Sequence, residues 1–113
     1  MKKIFIVFGH HNTKTSFNAA LRDTFINEAI QIGHKIDLVN LFDEKEKLPF
    51  YTSKKNPPPN LVLNYRKRLE KSDVMFLIGS CHNLRLNSIL ENWIDWVLHP
   101  TWFFTCLLYT SDA

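Results

Sequence analysis

The stretch Ile4–Asn18, IFIVFGHHNTKTSFN, decides the predicted fold. It begins with a continuous apolar run, the pattern of a strand that is buried on both faces of a parallel sheet. A polar turn opens at Gly9, and Ser16 is a good N-cap for the helix that should follow. Backbone N–H groups at a helix start, just beyond the carboxyl end of a strand, can bind an anion. The stretch therefore predicts a central strand and an anion-binding turn.

The residues after this turn predict a strand–helix–strand unit. An apolar stripe at helical spacing predicts a helix from Phe17 to about Ile32, and Gly33 is a likely stop signal for it. The stripe consists of Phe17, Leu21, Thr24, Phe25, Ala29 and Ile32. A second strand is predicted over residues 34–41. Because such units are right-handed and their connections are short, the two strands should be parallel.

The later part of the chain predicts more elements of the same α/β class. Proline-rich residues 42–60 should form an extended surface loop. The elements predicted after it are a helix over 61–71, a buried strand over 74–78, a polar loop over 80–83 and a helix whose apolar stripe runs from Leu86 to Leu98. This last stripe is the clearest helical pattern in the chain, with Asn87 or Ser88 near its start and Pro100 at its end.

The composition is that of a single folded domain. Of the 113 residues, 45% are hydrophobic and 22% are charged, which is typical of a globular protein. The net charge of +3 sits in short runs that we interpret as a solvated face, with attraction of an anionic ligand as the alternative. Neither a basic stripe for nucleic acid nor an apolar run long enough for a signal peptide or membrane span is visible. We expect a cytoplasmic protein without membrane insertion.

Cysteine and histidine spacing predicts no metal site or disulfide scaffold. Cys81 and Cys106 lack C-x-x-C spacing and are interpreted as ordinary thiols of a reducing compartment. The five histidines show neither H-x3-H nor H-E-x-x-H spacing. A thiolate mechanism at Cys81–His82 is disfavoured, since neighbouring side chains in an extended loop point apart and no orienting carboxylate is evident.

Three motifs carry a resemblance to a known family. The first is His11, followed after a short gap by Ser16–Phe17–Asn18. The second is the strand at residues 73–77 that leads into residues 80–84, and the third is SILENWIDWV at residues 88–97. With these motifs, which span nearly the whole chain, the sequence resembles the NAD(P)H:quinone oxidoreductase family, including its bacterial NAD(P)H dehydrogenase and potassium-efflux ancillary members.

The resemblance implies a flavodoxin-like fold, a doubly wound parallel sheet of five strands in the order 2-1-3-4-5. This sequence predicts only the part with strands 2-1-3 and its flanking helices. We therefore expect an incomplete flavodoxin-like domain over residues 1–105, corresponding to the N-terminal part of the family. Residues 106–113 do not resemble the family and are expected to be a non-native or disordered tail.

The resemblance also implies a flavin site. The backbone amides of Phe17 and Asn18, the Ser16 hydroxyl and His11 would hold the phosphate, although a Ser-Phe-Asn helix start by itself favours a plain cap. The other implied site residues are Ser80, Cys81, His82, Asn83 and Leu84 beside the isoalloxazine ring, and Trp102, Phe103 and Phe104 near the substrate pocket and dimer interface. FAD is the expected cofactor, with FMN possible, and NAD(P)H is the hydride donor.

The sequence departs from the family at the predicted ring loop. That loop usually begins with proline and contains tryptophan, whereas this chain has Ser80–Asn83, and Asn87 replaces the proline that opens the next helix. The implied function is two-electron hydride transfer through flavin to a quinone, in a parent protein that is a homodimer. The alternatives are a non-catalytic flavin- or nucleotide-binding subunit that regulates a partner such as a transport protein, and a remnant that binds nothing.

Overall fold

The computed structural model describes residues 1–52, 58–82 and 85–99. It contains a parallel sheet in the order β2-β1-β3, with helices on both faces, as the sequence predicts. The elements are β1 (Lys3–Gly9), α1 (Phe17–Ile32), β2 (Lys35–Asn40), α2 (Asn60–Glu70), β3 (Val74–Gly79), β4 (Cys81–His82), β5 (Arg85–Leu86) and α3 (Ser88–Val97). Each predicted strand and helix is present, with bounds that differ from the prediction by at most two residues.

Strand β1 is the centre of the sheet, and residues Ile4–Phe8 are at most 5% exposed. It pairs with β2 from Lys3 opposite Lys35, and with β3 from Ile4 opposite Val74. The β1–β3 pairing ends with Gly9 opposite Gly79, so the turns that follow these two strands start at the same edge of the sheet. This edge is the carboxyl end of both strands, where open α/β sheets bind ligands.

One face of the sheet is covered by α2 and α3. Its core packs Trp93 between Phe5 and Tyr65, with ring centroids 6.1 Å and 6.0 Å from that of Trp93. The predicted stripes of both helices face this core. Arg66 on α2 joins the helices further, because its guanidinium donates to the backbone carbonyls of Trp96 and Val97 at 2.7 Å and 3.1 Å. A cation at this position also complements the negative end of the α3 dipole.

The opposite face is covered by α1, and here the predicted stripe is only partly correct: Ala29 is buried and Phe25 packs against the core, but the ends of the stripe are exposed. Phe17 and Ile32 are 78% and 72% exposed, whereas the buried residues of α1 are Ala19, Arg22 and Ala29. Small alanine side chains let the helix approach the sheet closely, so the buried face is centred on them and not on the larger apolar residues. The helix ends as predicted, at Gly33 in the left-handed conformation (φ 103°).

Strand β3 is less buried than its apolar sequence predicts. Val74 and Phe76 are 37% and 40% exposed, although Phe76 contacts Phe25 of α1 with ring centroids 4.7 Å apart. In the described part of the chain β3 is an edge strand, and α1 covers only part of its near face. An open groove of about 330 Å³ therefore lies between the end of α1 and β3.

The predicted polar loop after β3 contains a short ribbon. Strands β4 and β5 are antiparallel, with Cys81 opposite Leu86 and His82 opposite Arg85. Two strands of two residues each give no recognisable strand period, so the sequence does not predict this pairing. None of the helices within residues 1–52, 58–82 and 85–99 has the length and hydropathy needed to cross a membrane.

Candidate functional site

The turn between β1 and α1 is held by hydrogen bonds from Asn12. Its side-chain Oδ1 accepts from the backbone N–H groups of Lys14 and Thr15 at 3.2 Å and 2.9 Å. Its own N–H donates to Nδ1 of His10 at 3.0 Å. Short side-chain to backbone bonds of this kind are the usual reason that asparagine is found in turns. The turn therefore has a defined conformation.

Ser16 caps α1, as predicted. Its Oγ accepts from the N–H of Ala19 at 3.1 Å and donates to the carbonyl of Asn12 at 2.7 Å. The next N–H along the helix, that of Ala20, donates to the Ser16 carbonyl at 3.0 Å. The hydroxyl proton and one lone pair of Ser16 are thus engaged within the turn itself, which is the arrangement of a plain helix cap.

The N–H groups of Phe17 and Asn18 are different. They belong to the first turn of α1, where no intrahelical acceptor exists, and they donate to no acceptor among the residues that the structure describes. The positive end of the α1 dipole lies at the same place. Two adjacent open N–H donors at a helix start fit the phosphate end of a nucleotide or flavin.

Arg22 lies in the second turn of helix α1 and connects the β1–α1 turn to the sheet. Its side chain is almost completely buried and donates to the Thr13 carbonyl at 2.8 Å and to Asn40 Oδ1 at 3.0 Å. Its Nε donates to Asp23 at 3.0 Å, and its guanidinium carbon lies 4.5 Å from the centroid of the Phe8 ring. The turn, the helix and the ends of β1 and β2 thereby converge on one cation.

The segment after β3 is held beside β1 by Asn87. The Asn87 side chain donates to the Gly9 carbonyl and, at 3.3 Å, to the Ser80 hydroxyl, while its backbone N–H donates to the Ser80 carbonyl at 3.1 Å. Its Oδ1 caps α3 by accepting from the N–H of Leu90 at 3.4 Å. Ser80 therefore lies at the same sheet edge as the first turn.

Glycine is required where these two segments leave the sheet. A Cβ on Gly9 would lie 2.5 Å from Cγ of Leu90, and a Cβ on Gly79 would overlap the same side chain. Leu90 is completely buried in the core beneath α3. Side chains at these two positions would push α3, and with it Asn87, away from the sheet.

His11, the remaining predicted phosphate residue, is exposed at the start of the turn. Its ring stacks on that of His10 with centroids 4.5 Å apart, and its edge faces Phe42 at 6.5 Å. These contacts place the His11 ring between the ends of β1 and β2. Among the described residues, His11 makes no hydrogen bond to Ser16, Phe17 or Asn18.

The predicted residues thus fall into three sets. His11, Ser16, Phe17 and Asn18 lie in or next to one turn, and Ser80 lies at the neighbouring strand end. Cys81 and His82 are the two residues of strand β4. The other predicted site residues, Asn83, Leu84, Trp102, Phe103 and Phe104, lie outside the described residues. Within the described ranges, no group of three or more His, Cys, Asp or Glu side chains could hold a metal ion.

Sequence reasoning missed the residues that fix the turn. Asn12, Arg22 and Asn40 carry no family motif, and Asn87 was recognised only as a helix cap. One signal was available: Arg22 is spaced three residues after Ala19 and seven before Ala29, so these residues share one helical face. An arginine on an otherwise small and apolar face indicates a buried polar contact.

Comparison with known proteins agrees with this architecture. The sequence model of a family described as having a flavodoxin-like fold matches residues 2–112. The chain belongs to the flavodoxin-like fold family. No curated protein sequence matches the chain significantly. The open N–H pair of this flavodoxin-like chain lies at the carboxyl end of its first strand, next to the topological switch point between β1 and β3.

Two solved structures are similar to this flavodoxin-like chain. The NAD(P)H:quinone oxidoreductase from Methanothermobacter marburgensis has a TM-score of 0.75 and 18% identity, over 85% of this chain and 52% of that chain. A candidate quinone reductase from Klebsiella pneumoniae has a TM-score of 0.72 and 19% identity, over 86% of this chain and 45% of that chain. The chain thus spans about half the length of these structures, and the likeness establishes the fold that they share with it.

Proposed function

We propose that this chain is part of a flavin-dependent NAD(P)H:quinone oxidoreductase and binds the flavin phosphate at the start of α1. The observation that carries the proposal is the pair of open N–H groups at Phe17 and Asn18, at the strand end where this fold class binds ligands. The similarity to two structures described as quinone reductases supports the choice of flavin and quinone.

The residues of this chain have binding and positioning roles in the proposal. The N–H groups of Phe17 and Asn18 donate to phosphate oxygens, and the α1 dipole adds to the attraction. Asn87 holds Ser80 beside Gly9, so that the segment after β3 can run along the ring of the same flavin. Cys81, His82, Asn83 and Leu84 are proposed to continue this contact.

A bound flavin supplies the chemistry, because it can take a hydride from NAD(P)H and give two electrons to a second substrate. Overall, NAD(P)H, quinone and one proton become NAD(P)⁺ and hydroquinone. Trp102, Phe103 and Phe104 are proposed to line the quinone pocket. FAD is the proposed flavin, with FMN as the alternative, and the complete protein is proposed to be a cytoplasmic homodimer.

The test begins with flavin binding. The purified chain is titrated into FMN and, separately, FAD, and quenching of flavin fluorescence is measured. We expect saturable binding of at least one flavin at near equimolar amounts. Absence of binding to both would overturn the proposal. Phe17→Pro should weaken binding, because it removes one open N–H at the first helical position, where proline is tolerated and the preceding Ser16 is already extended.

Turnover is measured next, with NADPH and a benzoquinone added to the flavin-loaded chain. Oxidation of NADPH that depends on the quinone supports the oxidoreductase. Flavin binding without quinone-dependent turnover would favour a non-catalytic, flavin-binding regulatory subunit. Size-exclusion chromatography of the loaded chain tests the homodimer.

A further inference from the structure

We propose that Arg22 is a positioning residue that keeps the first turn open to phosphate and thereby makes the site prefer phosphorylated flavins to riboflavin. This inference rests on the proposed function and assigns the preference to a residue outside the family motifs. Arg22 does not touch the open N–H groups in the described structure. It acts through the Thr13 carbonyl, to which its Nη2 donates at 2.8 Å.

Arg22 is held in place by its burial and by three acceptors. The residue is 6% exposed, and a buried guanidinium is retained only when its N–H groups find acceptors. Its acceptors come from the turn (Thr13), from the end of β2 (Asn40) and from α1 itself (Asp23). Since Asp23 is well exposed, the Thr13 and Asn40 bonds are the ones that tie α1 to its surroundings.

The Thr13 carbonyl, which accepts from Arg22, is also the possible helical acceptor of an open N–H. In an α-helix each N–H donates to the carbonyl four residues earlier, so Thr13 is the natural acceptor for the Phe17 N–H. If α1 began three residues earlier, with Thr13 as its N-cap, that donor would be consumed inside the protein. Arg22 instead binds the Thr13 carbonyl, and α1 starts at Phe17, so the Phe17 N–H stays open for an anion.

The other hydrogen bonds of the turn depend on the orientation of the Thr13–Lys14 peptide. The C=O and following N–H of a trans peptide point in opposite directions, so fixing the Thr13 carbonyl also fixes the Lys14 N–H. That N–H donates to Asn12 Oδ1 at 3.2 Å, and the Asn12 carbonyl in turn accepts from the Ser16 hydroxyl. Arg22 therefore stabilises the network that holds the helix start in its open form.

Arg22 also contacts the sheet directly. Its guanidinium lies over the Phe8 ring at 4.5 Å, and Asn40 ends β2, so neither contact moves with the turn. Arg22 thus fixes the position of the turn relative to strands β1 and β2. A riboflavin molecule, which lacks phosphate, has no use for the open N–H pair and should be insensitive to this arrangement.

The experiment compares two arginines. Arg22→Met is tested against Arg68→Met, because Arg68 on α2 is also partly buried, also bonded to a side chain (Asp37, Nε to Oδ2 3.1 Å) and also placed over a β1 ring (Phe5, 5.4 Å). Dissociation constants for FMN, FAD and riboflavin are measured by fluorescence quenching, and melting temperatures are recorded for each variant.

For Arg22→Met we expect the preference for the better phosphorylated flavin over riboflavin to fall about tenfold, as for the loss of one charge-assisted hydrogen bond. Riboflavin affinity should change less than twofold. Arg68→Met should lower the melting temperature and leave the preference unchanged. An equal loss of affinity for all three flavins, or an unchanged preference in Arg22→Met, would overturn the assignment of Arg22 while leaving the proposed function intact.

Two further outcomes are decisive. If Arg22→Met does not fold, Arg22→Lys takes its place, because lysine keeps the charge but cannot donate to Thr13 and Asn40 together from a planar fork. The preference should then fall about threefold, and an unchanged preference would overturn the proposal.

If the unmodified chain binds none of the flavins, or binds riboflavin as tightly as FMN and FAD, the phosphate site itself is absent and both proposals are wrong.

Discussion

The two faces of the sheet are built in different ways. On the α2–α3 face, two helices enclose an aromatic core in which Phe5, Tyr65 and Trp93 are at most 2% exposed. On the α1 face, a single helix packs through alanines and Arg22, and Phe76 is 40% exposed. Both faces remove apolar area from water, but the apolar cluster under α1 contains no Trp or Tyr and is built on Ile4, Ile6 and Ala29. On this face the hydrogen bonds of Arg22 to the turn and to β2 are an additional constraint.

This difference corresponds to what each face must do. Apolar burial is nondirectional, so the α2–α3 face can stabilise the sheet without fixing any single backbone group. Hydrogen bonds have a required geometry, and those of Arg22 and Asn12 hold individual carbonyls and N–H groups of the turn. The face that supplies less apolar burial is thus the one that presents the candidate phosphate site.

The largest expected effect comes from breaking the aromatic core. Trp93→Ala should lower the free energy of unfolding by about 3–5 kcal/mol, because a fully buried indole is replaced by a cavity. Phe25→Ala on the α1 face should cost only about 1–2 kcal/mol, since Phe25 is half-buried. Urea unfolding followed by circular dichroism measures both.

Equal losses for these two variants would contradict the difference between the faces. Flavin affinity provides a second comparison, because the ring partners of Trp93 (Phe5 and Tyr65) and of Phe25 (Phe76) do not belong to the turn. At urea concentrations where both variants are folded, each should bind phosphorylated flavin as the unmodified chain does. A selective loss in Phe25→Ala would mean that packing against β3 also sets the turn.

The strands were predictable because their sequences are continuous apolar runs, which few other structures accommodate. The buried face of α1 was predictable only in part, at Phe25 and Ala29. Phe17 and Ile32 suggested an apolar stripe, yet both are exposed and the buried face contains Arg22. Periodicity counts apolar residues, whereas the packing of α1 depends on small side chains near the sheet and on acceptors for a guanidinium that come from β2 and the turn.

The candidate site was predictable only in part, for a related reason. Ser16 was correctly assigned as a cap, since that role depends on residues close in sequence. The contact of Asn87 with Gly9 joins residues far apart in the chain, and its geometry follows from the parallel pairing of β1 with β3. The roles of His11, Phe17, Asn18 and Ser80 in flavin binding stay predictions until affinity is measured.

A smaller effect is the pH dependence of the free energy of unfolding that Tyr65 gives to the α2–α3 face. Burial, together with the nearby Glu44 carboxylate, raises the pKa of Tyr65 to about 12, from an ordinary value near 10. The unfolded chain therefore loses this proton first. Stability from the neutral phenol is complete below pH 10 and is lost as pH rises toward 12, by roughly 1–2 kcal/mol.

Tyr65→Phe should remove this component, so its free energy of unfolding should fall less than that of the unmodified chain between pH 9 and pH 11. Lysines also titrate in this range, and the comparison of the two chains cancels their contribution. Parallel pH profiles for the two chains would show that Tyr65 ionises as easily in the folded protein as in the unfolded one.

The smallest effect is expected at the start of α1. Ser16→Ala removes the acceptor of the Ala19 N–H and should cost about 1 kcal/mol, whereas Ser16→Gly should cost less. Because the Ser16 hydroxyl donates to the Asn12 carbonyl, its loss removes one link of the turn network, so both variants should lower the preference for phosphorylated flavin over riboflavin by about twofold, less than Arg22→Met does. Fluorescence titration with FMN, FAD and riboflavin checks this. A much larger loss of that preference in Ser16→Ala would show that the hydroxyl turns from Asn12 to the phosphate, and that the α1 face gives up part of its own hydrogen bonding when ligand binds.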